Sequence, residues 1–203
     1  MLKLHRSCLQ LIFLFFAFWQ GENKLRAQVF EEGKNLISAG YGFPNLQRSV
    51  LRLLSDEQNF QTTGFGPAHL RYEFCLAKGW GVGASVNVTG YGGSWLDSGY
   101  SASLNVISYS GLFRINYYFV NDEKVQVYGG LGTGYRARLS TYQNNRPGAV
   151  FSSEIETLLS EVSLPVGFEA TLGVRRRFSK DFGGYVECGL AKSVIQAGLF
   201  LSF

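Results

Sequence analysis

From Ala68 to Ala77 apolar and polar residues alternate, with Ala68, Leu70, Tyr72, Phe74 and Leu76 on one side and His69, Arg71, Glu73 and Cys75 on the other. A repeat of two residues rather than 3.6 is that of a β-strand. Lys78 and Gly79 then turn the chain. Trp80, Val82, Ala84, Val86 and Val88 follow as an apolar face opposed by Gly81, Gly83, Ser85, Asn87 and Thr89, so the two runs predict a hairpin. The same alternation runs over 105–119, 125–137, 164–178, 184–190 and 194–203, and with a first strand near 34–43 it predicts eight strands. Short connections (78–79, 120–124, 179–182) alternate with long ones (44–66, 94–103, 139–163), and the last, at 191–193, is very short. An even strand count puts both ends of the sheet on one side, the habit of single-chain membrane barrels. The predicted fold is all-β, an eight-stranded antiparallel up-and-down transmembrane β-barrel.

Periodicity alone does not say which face is inside; volume does. Eight strands enclose a lumen just wide enough for side chains or one small ligand. The Phe-, Tyr-, Leu- and Val-rich face would overfill it, whereas the opposing Gly, Ser, Asn and Thr fit. The apolar face therefore points outward to lipid, and the chain is expected in the bacterial outer membrane. The inner face then carries Arg71, Glu73, Arg114, Arg136, Glu169, Arg175 and Glu187. Charges removed from water need partners, so a closed plug of ion pairs is expected, with Glu73 beside Arg114 or Arg71. Aromatic girdles are expected at Trp80, Tyr117, Phe119, Phe178, Phe182 and Phe203 on the periplasmic side, and at Tyr41, Phe43, Tyr91, Trp95 and Tyr100 on the outer side.

The start of the chain sharpens this address. Lys3, His5 and Arg6 precede an apolar core from Leu11 to Trp19 that is too short for a membrane helix, which reads as a signal peptide over residues 1–27 with the barrel domain at 28–203. Removing it leaves 15 Lys and Arg against 14 Asp and Glu, so the formal charge of +4 belongs mostly to the leader. With no basic patch interleaved with exposed aromatics, nucleic acid is not an expected partner. The balance of 25 Gly, 17 Phe and 11 Tyr against four Pro suits strands and tight turns.

Three segments, Phe30-Glu31-Glu32-Gly33-Lys34-Asn35-Leu36-Ile37, Val127-Tyr128-Gly129-Gly130-Leu131-Gly132-Thr133-Gly134-Tyr135 and the terminal strand, give the chain a further resemblance. From Phe30 to Phe203 it resembles a family of small outer-membrane β-barrel proteins of Bacteroidetes-type bacteria. That resemblance implies insertion by the barrel assembly machinery, which would read Ile195, Leu199, Leu201 and Phe203 in the last strand, and it implies no substrate.

Candidate chemistry is sparse. Gly129 to Gly134 lacks the Gly-Lys-Ser/Thr ending of a phosphate loop and reads as strand glycines that make room for Arg114 and Tyr128. His69 is the one histidine after the leader, so no multi-histidine metal site is expected, and neither metal nor cofactor is assigned. Cys75 and Cys188 fall on opposite faces and are expected as free thiols. In the loops, Ser153-Glu154-Ile155-Glu156 has the form of a capping box, and Leu46 to Leu54 has helical spacing with Arg48 and Arg52 on its polar side. Three functions stand open: a non-enzymatic outer-membrane barrel in contact with lipid and with an unidentified surface ligand through its outer loops; a lipid-modifying hydrolase using His69 at the rim; and a soluble calyx for an apolar ligand.

Overall fold

The computed structural model describes residues 32–54, 60–76, 79–97, 100–145, 165–190 and 193–203. Eight strands form one closed antiparallel barrel in sequence order: β1 (Asn35–Asn45), β2 (Gln61–Cys75), β3 (Trp80–Asp97), β4 (Tyr100–Asn121), β5 (Val125–Asn144), β6 (Val166–Arg177), β7 (Phe182–Leu190) and β8 (Ser193–Ser202). The seam is β1 against β8, from Leu36 opposite Ser202 to Asn45 opposite Ser193. It is finished by Asn35 and Phe203, each of which donates its N–H to the other's carbonyl, at 2.9 and 3.0 Å. Among the described residues no helix is long and apolar enough to cross a membrane.

The strands follow the two-residue alternation, interrupted where the register shifts between Phe65 and Ala68 in β2 and between Tyr118 and Val120 in β4. In β4, every even position from Val106 to Tyr118 is buried and every odd position from Ile107 to Phe119 is exposed. Phe43, Leu131, Phe168, Leu172, Leu190 and Leu199 all stand outward. Trp80, Tyr117 and Phe119 cluster at the short-turn end with ring centroids 4.8 and 5.2 Å apart, and Phe178 lies 5.9 Å from Phe182.

The two ends of the barrel differ. At one, β4 to β5 and β6 to β7 are closed by tight turns, with Asp122 N–H donating to Val125 O and Phe178 N–H to Phe182 O, while Gly79, at φ +80°, turns the chain into β3. At the other end the expected long connection over 94–103 is absent. Residues 94–97 extend β3 and residues 100–103 extend β4, paired from Ser94 opposite Ser103 to Asp97 opposite Tyr100. β5 likewise runs on to Asn144, whereas its pairing with β6 stops at Tyr135 opposite Val166. The reason lies in the residues: Gly92, Gly93, Ala102 and Leu104 keep the small and apolar alternation going past the level where the neighbouring strands end. The result is a wall of β2, β3, β4 and β5 standing above the rim.

Where this wall leaves the ring, β1 passes into α1 (Leu46–Leu54), as its helical spacing predicts. Asn45 is the hinge. Its Oδ1 accepts the Arg48 N–H at 3.1 Å, an N-cap, while its Nδ2 donates to the carbonyls of Phe65 and Gly90 and to Thr89 Oγ1 at 3.0 to 3.2 Å. One side chain thus starts the helix and ties it to β2 and β3. The capping-box segment near Ser153 and the leader fall outside the described residues.

Asn45→Ala should lower stability by about 1–2 kcal/mol and expose α1 to protease while the barrel's folded gel mobility is kept; unfolding in detergent with limited proteolysis measures both. Glycines separate by face. A Cβ on Gly173 would sit 2.5 Å from the Tyr128 ring and 2.8 Å from Glu187 Cγ, whereas one on outward Gly111 meets nothing within 4 Å. Gly173→Val should abolish folding and Gly111→Ala should be silent in the same gel assay.

Candidate functional site

The inner face concentrates the polar chemistry, and the sheet's curvature aims it at the barrel axis. Six of the seven charged residues predicted there are buried: Arg71, Glu73, Arg114, Glu169, Arg175 and Glu187. They come from β2, β4, β6 and β7, so their contacts run across the lumen rather than between neighbouring strands.

Glu187 is the hub. One of its oxygens accepts from Arg71 Nη1 at 2.8 Å, and the other from Tyr128 Oη at 2.7 Å and Arg114 Nη2 at 3.4 Å. Glu169 accepts from Arg71 Nη2 at 3.1 Å and is paired with Arg114 as well. Gln196 Oε1 takes a further Arg71 proton at 2.7 Å. Toward the turn end a second group forms: Arg175 donates to Glu73 at 2.8 Å and to Tyr118, whose hydroxyl in turn donates to Glu73 at 2.6 Å. The Arg175 guanidinium also lies 4.7 Å from the Tyr128 ring centroid, a cation–π contact.

Two expectations about this interior need correction. Glu73 meets Arg175, not Arg114 or Arg71. In ladder register Glu73 does align with Gly83, and Gly83 with Arg114, but strands in a closed barrel tilt against its axis. Residues in one register row therefore climb the wall, and true neighbours sit on opposite sides. Arg136, in turn, is only half-buried and belongs to no ion pair among the described residues; it stands above the network, where the β5–β6 pairing ends. Tyr91 and Trp95 also depart from their expected place in an outer girdle, because they pair with Val106 and Ala102 and so share the inner face of the extended wall.

Sequence reading passed over Tyr118, Tyr128, Tyr185, Gln196 and Asn45 as polar partners, although strand parity puts the tyrosines on the inner face. Alternation tells where a side chain points but not which distant strand it meets. Tyr128's room comes from Gly173 of β6, and Gly130 seats the Arg114 guanidinium, 2.6 Å from where its Cβ would be.

His69 lies within the lumen, with Nε2 2.5 Å from Tyr185 Oη and Nδ1 buried without a partner. Cys75 is buried inside and Cys188 exposed outside, and both are free. No metal-binding group of His, Cys, Asp and Glu occurs among the described residues. The cavity inside the network has a volume of about 10 Å³ and is lined by Arg71, Glu73, Arg114, Arg175 and Glu187 among others. That is room for about one water. Neither an apolar ligand nor a hydrated ion stream fits it.

No family model and no curated protein matches the chain. Among solved structures it is similar to outer membrane protein OprG of Pseudomonas aeruginosa, at 14% identity over 85% of this chain and 97% of that one, with a TM-score of 0.48. It is also similar to Ail, the attachment invasion locus protein of Yersinia pestis, in complex with the heparin analogue sucrose octasulfate (15% identity, 85% and 100% covered, TM-score 0.40). A third is the N-terminal β-barrel domain of P. aeruginosa OprF (10% identity, 85% and 98% covered, TM-score 0.37).

Removing one member of the network strands the others. Glu187→Ala leaves Arg71 and Arg114 with Glu169 alone, and should cost about 3–5 kcal/mol. The double variant Glu73→Leu with Arg175→Met should be closer to the parent than either single change, because an apolar pair leaves no uncompensated charge. Urea midpoints of the parent and the four variants in one detergent compare them directly.

Proposed function

We propose that the chain is an integral β-barrel of the bacterial outer membrane, non-enzymatic and closed to ions, which meets the cell's surroundings through the β2–β5 wall and α1. The carrying observation is the inversion of polarity: large apolar side chains stand exposed around the whole outer face while the buried interior is ionic and hydrogen-bonded. Such an exterior in water would be one continuous sticky surface; in lipid it is solvated. The height is right too. The paired segment of β5 and β6 from Val125 to Tyr135 holds eleven residues, against the roughly 9–11 a tilted strand needs to cross a bilayer.

Several features agree with assembly in that membrane. Ile195, Leu199, Leu201 and Phe203 all face outward, presenting one apolar edge of the last strand to lipid and to the barrel assembly machinery. The short turns, the start of β1 and the end of β8 lie together on what becomes the periplasmic side. His69, locked to Tyr185 among the packed inner side chains, supports a structural part in the lumen rather than catalysis at the rim.

The refolded chain should require detergent or lipid, migrate differently on gels before and after boiling, and give no steady conductance in planar bilayers. A compact monomer in detergent-free buffer would overturn the membrane reading, and steady ion current through the parent protein would overturn the closed lumen.

A further inference from the structure

The charges within the barrel proper are balanced, since Arg71, Arg114 and Arg175 face Glu73, Glu169 and Glu187. Higher up the balance ends. On the inner face of β5, above the rim, stand Arg136 and Arg138, and neither side chain meets a carboxylate or donates a hydrogen bond among the described residues. Arg136 lies close enough to Arg138 to feel its charge, and its Nε is buried with no acceptor. A half-buried guanidinium kept beside a like charge, with a donor unfilled, is held at a cost. An anion held between the two guanidinium groups would relieve the repulsion.

The same surface carries aromatic rings. Trp95 stacks on Phe60 at 5.6 Å and lies 6.1 Å from Tyr142. Tyr142 and Arg138 share the inner face of β5, four residues and about 13 Å apart, with Ser140 between them. Guanidinium groups, a hydroxyl and half-buried aromatic rings thus line one strip longer than a single sugar.

We propose that this strip binds an anionic polysaccharide, Arg136 and Arg138 holding its sulfate or carboxylate groups and Trp95 lying against the apolar face of a sugar ring. The proposal rests on the reading that this end faces the cell's surroundings. The occupant comes from solution rather than from the membrane, because the wall's own strands stand between its inner face and the lipid. A nucleic acid is the poorer fit: two fixed cations are few beside the six to ten or so phosphate contacts with which proteins track such a backbone.

The test uses the barrel refolded in neutral detergent and carrying Trp80→Phe, which leaves Trp95 as the one tryptophan of the described residues. Heparin and polygalacturonate serve as sulfated and carboxylated probes, dextran as the neutral one, and oligothymidylate as the nucleic acid. Trp95 emission should shift with at least one anionic polysaccharide and not with dextran, and the response should weaken as salt rises from about 50 to about 200 mM. The double variant Arg136→Gln, Arg138→Gln should lose binding by roughly tenfold or more while keeping its heat-dependent gel shift. Phosphatidylglycerol added to the micelles should leave the response unchanged. Silence with both anionic polysaccharides, an equal response to dextran, tighter binding of oligothymidylate, competition by the lipid, or full binding by the double variant would each overturn the proposal. Gel shift and detergent dependence are read without any ligand, so the membrane reading stands or falls separately.

Discussion

In a ring of strands wrapped in apolar side chains, every charge sent to the inner face has only other inner groups for company. That constraint organises this molecule. It explains why the lumen holds cations and anions in equal number, why three tyrosines point inward with hydroxyls engaged, and why Gly130 and Gly173 are bare where Arg114 and Tyr128 need the space. Pairing alone would not suffice, because a buried ion pair rarely gains more from attraction than it loses in hydration. Shared acceptors and neutral donors, such as Tyr128 on Glu187 and Tyr118 on Glu73, fill the remaining valences.

Much of this was legible in the chain. The two-residue period gave eight strands and their faces, and crowding decided which face was inside. Partner identity was not legible, as Glu73 illustrates: ladder register places it in a row with Arg114, while tilt and curvature bring it to Arg175 on the far wall. Nor was the height of β3, β4 and β5. Residues 94–103 carry serines, an aspartate and a glycine that read as loop, yet Trp95, Ala102 and Leu104 hold the alternation, and pairing continued. A girdle assignment for Tyr91 and Trp95 failed for the same reason, since their strand parity had been set many residues earlier.

Asn45 shows how a single polar side chain can settle a boundary. It ends β1, caps α1 and fastens both to the adjoining β2–β3 hairpin through Thr89 and two carbonyls. Arg48, one turn into the helix, donates to the Thr62 carbonyl at 2.9 Å and repeats the attachment from the helix side. The expected helix from Leu46 to Leu54 is thereby a fixture of the rim, seated beside the wall that rises from it.

The diagonal reach of Arg71 and Arg114 has a mechanical side. Each ties its own strand, β2 or β4, to both β6 and β7, so the guanidinium groups act as struts across a thin-walled tube. A small cylinder without such bracing flattens easily into an oval under lateral pressure. With it, four strands on opposite walls are held at a fixed separation, and the ring resists that collapse through its own side chains.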